Sequence, residues 1–333
     1  MGVKHGVFKR IFYGLIWIIV ILASLMITPR IWSALNPDKP PVGYHFLTPT
    51  YIAIKTGLEK MIDRRPPVPA DILEIKNIEY KNINGKSLQL DIYKSRALTK
   101  PAPLLVFIHG GGWKSGNRAD YLVYLIAFAK KGYVTATVSY RLLNIAPYPA
   151  CAEDITDAVQ WLYKNGENYG YDPDRIALIG GSAGAHLAML AGYEWKRNGA
   201  TPDSSLARVT KHKIKAIVDI YGPTDLTTEF SRANSTVTDF LARTYEQAPE
   251  LFLEASPIHY LNKNNPPTMI LHGTSDQTVP VSQSDLLKGR LDSLGVPNVY
   301  YKVPLWPHTM DAIERVNRFS EEKMTLFFEK YLK

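Results

Sequence analysis

A chain of 333 residues is long enough for one large core or two ordinary ones, and 46% apolar with 21% charged residues is the composition of a globular protein. The single cysteine, Cys151, excludes an intramolecular disulfide and a Cys-rich zinc site. The net charge of +8 would suit a nucleic-acid binder, but residues 1–70 carry +6 of it and residues 71–333 only +2. The basicity belongs to the N-terminal tract, and no nucleic-acid partner is expected.

That tract holds 19 uncharged residues between Arg10 and Arg30, IFYGLIWIIVILASLMITP. As a helix, residues 11–28 would span about 27 Å, close to the ~30 Å hydrocarbon core of a bilayer. Apolar side chains face every side, so no polar stripe exists to solvate a surface helix. Pro29 and Arg30 are expected to end it. Two readings stay open: a single-pass anchor, and a cleaved signal segment with Lys4, Lys9 and Arg10 as its basic start. The length of the run and the lack of a small-x-small site after it favour the anchor. Three basic residues before the run, against Arg30 and Lys39 after it, favour a cytoplasmic N-terminus and an extracytoplasmic main domain.

Residues 36–72 are rich in proline and read as a stiff spacer. Within it Tyr51, Ile54, Leu58 and Met61 recur at helical spacing, which predicts an amphipathic helix lying on a membrane, covering a site, or simply packing on the main domain.

From about residue 73 the pattern becomes α/β. Strands are predicted at 75–81, 87–93, 103–108, 134–139, 176–179, 214–220, 268–272 and 298–303. Asn84-Gly85 marks a hairpin between the first two. Several later strands are short continuous apolar runs, as in parallel sheets covered on both faces. Helices are predicted at 152–164 and 311–332. The expected architecture is a mostly parallel central sheet covered by helices, over residues 73–333, with a lid insertion at about 223–267.

Four separated pieces carry chemistry. Gly180-Gly181-Ser182-Ala183-Gly184 lies between an apolar strand, RIALIG, and an apolar helix, so Ser182 falls on a sharp strand-to-helix turn that exposes its hydroxyl. His109-Gly110-Gly111-Gly112-Trp113 follows PLLVFI; its glycines let backbone N–H groups face a bound oxyanion. No G-K-[ST] or G-x-G-x-x-G accompanies them, so a phosphate or dinucleotide loop is not expected. A serine hydroxyl needs a histidine to take its proton and an acid behind that histidine, in the order Ser, Asp, His along a chain of this kind. Asp276, in HGTSDQTVP, and His308, in LWPHTMD, fit that order. Asp225 is the runner-up acid, while Asp285 and Asp292 fall on a predicted helix. His109, His186 and His272 read as structural, and His5, His45, His212 and His259 lack motif context. The sequence offers no H-x-x-x-H, H-E-x-x-H or C-x-x-C, so neither metal nor cofactor is expected.

Together HGGGW, SYRLLNIAPYPA, YDPDRIALIGGSAGAHLA, LHGTSDQTVP and the late His308 resemble the α/β-hydrolase superfamily, in its esterase/lipase branch related to hormone-sensitive lipase and the carboxylesterases. The resemblance implies a serine carboxylic-ester hydrolase acting on a small-molecule ester of short to medium acyl or aryl type. It implies an oxyanion hole at Gly111, Gly112 and Ala183. Gly181 departs from the Asp that many hormone-sensitive-lipase-like members carry before the serine, and brings the chain nearer to feruloyl/acetyl-esterase-like and prenylcysteine-methylesterase-like relatives. The LHGTSDQTVP stretch also resembles prolyl-oligopeptidase-type peptidases, so a peptidase or amidase of the same fold stays open, as does an inactive binding module. Phe230, Phe240, Leu241, Tyr245 and Leu251 of the lid are expected to suit an apolar acyl or aryl group.

Overall fold

Asn84 and Gly85, both with positive φ, turn the chain between two long strands, β1 (Ile72–Ile83) and β2 (Lys86–Ser95). The computed structural model describes residues 2–44, 47–194 and 213–333, and the side chains of all but 2–8 and 47 among them. His45 and His212 lie outside the described residues, as does the side chain of His5.

After the hairpin, strands and helices alternate: β3 (Ala102–Ile108), α3 (Leu122–Lys130), β4 (Val134–Val138), α4 (Ala150–Lys164), α5 (Gly166–Tyr169), β5 (Tyr171–Gly181) and α6 (Ala183–Gly192). Then come β6 (Ala216–Ile220), three short helices α7 (Glu229–Ala233), α8 (Ser235–Leu241) and α9 (Pro249–Glu254), β7 (Thr268–Gly273), α10 (Ser282–Ser293), β8 (Asn298–Val303) and α11 (Glu314–Leu332). The sheet has eight strands in the order β1-β2-β4-β3-β5-β6-β7-β8. The β1–β2 and β2–β4 pairs are antiparallel, and every later pair is parallel.

A parallel strand needs a crossover, and the crossovers bury both sheet faces. In β3, Leu104, Val106 and Ile108 point into the core beneath α4 and α6, while Leu105 and Phe107 point into the core beneath α3 and α11. Each such side chain is fully buried and contributes roughly 1.5–3 kcal/mol. The order also places the site. From β3 the chain steps outward to β4, then crosses back over β3 to β5. The carboxyl ends of β3 and β5 therefore flank the switch point where open α/β sheets bind ligands.

Two expectations about the N-terminal tract need correction. The helix α1 (Gly2–Leu35) does not end at Pro29 but runs through it. Proline removes one N–H from the ladder, and hydroxyls add bonds to other carbonyls on either side of it: Thr28 Oγ1 donates to the Ser24 carbonyl at 2.7 Å and Ser33 Oγ to that of Pro29 at 2.8 Å. From Lys9 to Leu35 this helix is long and apolar enough to cross a membrane, and a signal sequence would pass the same test. The second helix, α2 (Leu47–Lys55), stops before Leu58 and Met61. Gly57 (φ 76°) takes the left-handed conformation that ends a helix, and Met61 pairs instead with Ile313 in a short bridge.

Candidate active site

The turn after β5 is built by close approach. A Cβ on Gly180 would lie 2.3 Å from the carbonyl carbon of Gly184, and one on Gly184 would lie 2.0 Å from the Ile108 carbonyl oxygen, so neither position tolerates a side chain. Between them Ser182 is held at φ 55°, ψ −124°. Such a non-glycine conformation costs on the order of 1–3 kcal/mol and persists only where its surroundings fix it. Here the Ser182 N–H donates to the Ile220 carbonyl at 2.9 Å, and the Ser182 carbonyl accepts the His186 N–H at 3.1 Å.

The strain leaves the Ser182 hydroxyl 3.0 Å from Nε2 of His308. On the other side of that ring, Nδ1 donates to Asp276 Oδ2 at 2.6 Å. Asp276 in turn accepts the backbone N–H groups of Thr278 and Val279 on Oδ1, at 2.8 and 2.9 Å. Burial alone would raise its pKa, but hydrogen bonds from His272 and His308, the charge of His308 and the Val279 N–H outweigh it and hold the carboxyl down at about 2. Asp276 is therefore an ionised acceptor at neutral pH.

The glycine loop after β3 faces this line. Gly111 and Gly112 have φ of 107° and 58°, which side chains disfavour. The Gly110 carbonyl is drawn to Nδ1 of His109 at 2.9 Å, and the Gly111 carbonyl to the N–H and hydroxyl of Ser115 at 3.1 and 3.0 Å. In a trans peptide the N–H points opposite the preceding carbonyl, so the N–H groups of Gly111 and Gly112 turn away from those partners. Both glycines line a cleft of about 590 Å³ together with Ser182, Ala183 and His308.

Other sequence candidates lie elsewhere. His109 stacks on Tyr140 at 4.3 Å and is buried, which lowers its pKa; it shapes the glycine loop. His186 is a buried residue of α6, its pKa pushed down to about 4 by burial, with Nε2 on the Ala255 carbonyl at 2.7 Å. His272 accepts from Ser284 at 2.7 Å, and its Nε2–H points at the Val279 carbonyl at 2.8 Å, with Asp276 Oδ2 at 3.3 Å. Asp225 accepts from Thr227 in a local turn, Asp285 pairs with Lys302, and Asp292 with Lys288. Of the five apolar residues expected over the pocket, Phe230 alone lines it. Phe240 instead stacks on Trp113 at 4.0 Å inside the core, and Tyr245 lies under the Arg232 guanidinium at 3.6 Å.

Several lining residues carried no signal in the sequence. The Tyr221 ring lies 4.6 Å from that of His308, and its hydroxyl donates to Asp311, whose pKa burial raises. Tyr121 fills the space beside Gly181, and Ile62 and Arg64 reach the cleft from the spacer. Tyr221 alone could have been suspected, because it directly follows β6 at the sheet's carboxyl edge.

Residues 90–291, more than half of the chain, match the BD-FAE family. The chain belongs to the BD-FAE family. This BD-FAE member is 31% identical over 264 residues to esterase LipC of Mycobacterium tuberculosis, covering 76% of this chain and 65% of that one. Esterase LipQ of the same organism is 32% identical over 240 residues, covering 70% of this chain and 56% of that one. The chain thus spans less than two thirds of the length of these relatives. Among solved structures, a thermophilic esterase of Thermogutta terrifontis with butyrate bound superimposes with a TM-score of 0.67 at 24% identity, covering 80% of this chain and 95% of that one. That likeness shows the α/β-hydrolase fold.

Proposed function

We propose that this BD-FAE member is a membrane-anchored serine esterase that cleaves small-molecule carboxylic esters without a cofactor. The observation that carries the reading is the unbroken hydrogen-bonded line from Asp276 through His308 to Ser182, ending in a cleft lined by Gly111 and Gly112. The esterase names of its relatives support the same reaction class.

In this mechanism the Ser182 oxygen attacks the ester carbonyl carbon while its proton passes to His308 Nε2. Ionised Asp276 keeps Nδ1–H in place and stabilises the imidazolium. The carbonyl electron pair moves onto oxygen, where the N–H groups of Gly111, Gly112 and Ala183 receive it; one such donor is worth roughly 3–4 kcal/mol in the barrier. Collapse expels the alcohol, which takes the proton from His308. Water then attacks the acyl-enzyme with His308 again as base, releasing the acid and free serine. The cleft volume suits short to medium acyl or aryl groups, and residues 223–267 act as its lid. Residues 1–35 serve as anchor, 36–72 as linker and 73–333 as catalytic domain, with the basic residues before the helix supporting a cytoplasmic N-terminus.

In Ser182→Ala, hydrolysis of p-nitrophenyl butyrate is expected to fall by at least about a thousandfold with an unchanged melting curve, and a fluorophosphonate probe should no longer label the chain. Turnover near that of the parent would refute the reading.

A further inference from the structure

The stretch between α1 and β1 is gripped by the domain. Arg315 of α11 donates to Ser33 Oγ at 2.8 Å and to the Val42 carbonyl at 2.7 Å, and clasps the buried Glu59 carboxylate at 2.8–3.0 Å. Tyr44 donates to the same carboxylate at 2.9 Å, and Trp306 Nε1 to the Pro41 carbonyl at 2.9 Å. Beyond Glu59, the Met61–Ile313 bridge is framed by Ile62 N–H on the Ala312 carbonyl at 2.9 Å and Glu314 N–H on the Lys60 carbonyl at 2.8 Å. Ile62, Arg64 and Ala312 then form part of the cleft wall.

This grip fixes a height. Ser33 lies one to two helical turns past Thr28, about 7.5 Å along the axis, and a headgroup zone is roughly 5–8 Å deep. With α1 inserted, Arg315 therefore holds the helix at headgroup level, and the surface around it has no slack with which to retreat. What that surface displays fits such a place. Tyr51, Ile52 and Met61 are 59%, 45% and 54% exposed. Around them Arg30, Lys39, Lys55, Lys60, Arg64 and Arg65 are all exposed, against only Asp38 and Asp63 as exposed acids, since Glu59 is engaged by Arg315. Exposed aromatic and aliphatic side chains among cations are the makeup of an interfacial surface for anionic lipid, with about 1 kcal/mol per basic residue near the headgroups.

We propose that exposed side chains of residues 30–44 and 48–65 form a bilayer-contact surface that holds the cleft at the membrane, and that the ester it takes is an amphiphile resident in that bilayer. The proposal rests on the ester-hydrolase reading above and adds the source of the substrate to it. A matched pair of butyrates tests it: soluble 4-methylumbelliferyl butyrate, and the butyrate of an umbelliferone bearing a hexadecyl tail, dissolved in vesicles. Both present the same acyl group, and only one is delivered by the bilayer. The full chain, reconstituted in phosphatidylcholine vesicles with or without phosphatidylglycerol, should cleave the tailed ester about tenfold faster when phosphatidylglycerol is present, with the soluble ester changed less than about twofold. The double variant Tyr51→Asp/Ile52→Asp, on the outer face of α2, should keep soluble turnover within about twofold and lose about tenfold on the tailed ester. Independence of the parent protein from phosphatidylglycerol would overturn the proposal without recourse to any variant. So would an equal loss on both esters in the double variant. Ser182→Ala separates the two readings: residual cleavage of both esters there would defeat the hydrolase reading itself, while its loss leaves the delivery question to the other arms.

Discussion

Asp219 is the residue whose chemistry is least compatible with its place. It lies in β6, fully buried, with Oδ1 accepting the Gly222 N–H at 2.7 Å and no hydrogen-bond partner for Oδ2 among the described residues. Burial pushes its pKa up to about 7, against the pull of Gly222 and His272. An unfolded aspartate titrates near 3.9, so the folded state binds the proton more tightly. Its stabilisation is then complete below about pH 4 and is lost as pH rises through about 7, a cost on the order of 4 kcal/mol. Asp276 works in the opposite sense: held at about 2, it stabilises above about pH 4 and loses that contribution as pH falls through 2. Melting temperature should therefore decline from about pH 5 to about pH 8, and Asp219→Asn should flatten that decline; an unchanged slope in the variant would contradict the assignment. Gly181 is a second residue with a specific constraint. A Cβ there would meet the Tyr121 hydroxyl at 2.1 Å, so the acidic residue of many hormone-sensitive-lipase-like members has no room in this chain. Gly181→Ala should slow fluorophosphonate labelling of Ser182 by about tenfold or more, and adding Tyr121→Phe should recover part of the loss. Failure of that recovery would mean that the hydroxyl is not the obstacle.

At the scale of elements, the loop between β8 and α11 depends on the spacer. Trp306, two residues before His308, is fully buried, and its carbonyl accepts the Ser275 N–H at 3.0 Å, next to Asp276. Gly43 lies flat against it: a Cβ would come within 2.7 Å of the Leu305 carbonyl and of the indole ring. Gly43→Ala should push this loop and lower kcat for p-nitrophenyl butyrate about tenfold while KM stays within about twofold, because the cleft walls are untouched and the His308 geometry is not. A rise in KM at constant kcat would assign Gly43 to substrate binding instead. The same elements show what sequence can and cannot tell. Ser182, His308 and Asp276 were legible because each sits in a local motif after an apolar strand, and all eight strands were legible as apolar or alternating runs. The spacer's role was not, because the Trp306–Pro41 hydrogen bond joins residues 265 apart and leaves no periodicity. Leu58 and Met61 kept helical spacing, yet Gly57 ended the helix before them. The five residues expected over the pocket looked alike as apolar side chains, and only packing could separate Phe230 in the cleft from Phe240 in the core.

At the scale of the whole molecule, rigidity between α1 and the domain decides how the N-terminal tract acts. Past the apolar run, Arg30, Lys39, Lys55, Lys60, Arg64 and Arg65 outnumber Asp38, Glu59 and Asp63 on the side that would meet the membrane, while residues 71–333 are nearly neutral. A slack tether would let those charges find lipid independently of the cleft; a rigid joint makes them orient it. The joint centres on Glu59, whose side chain is 3% exposed, and Arg315, at 14%. Removing one partner of a buried pair strands the other charge, at roughly 3–5 kcal/mol, whereas replacing both by apolar side chains is often neutral. Trypsin reads the difference, since Lys55, Lys60 and Arg64 are exposed but lie in a segment that must open to enter a protease. In the full chain, Arg315→Met should speed cleavage at these residues by about tenfold or more, and Glu59→Leu/Arg315→Met should return it to near the parent rate. Equal cleavage of parent and single variant would mean that the segment is already open, and that the domain hangs loosely from α1 instead of being fixed to it.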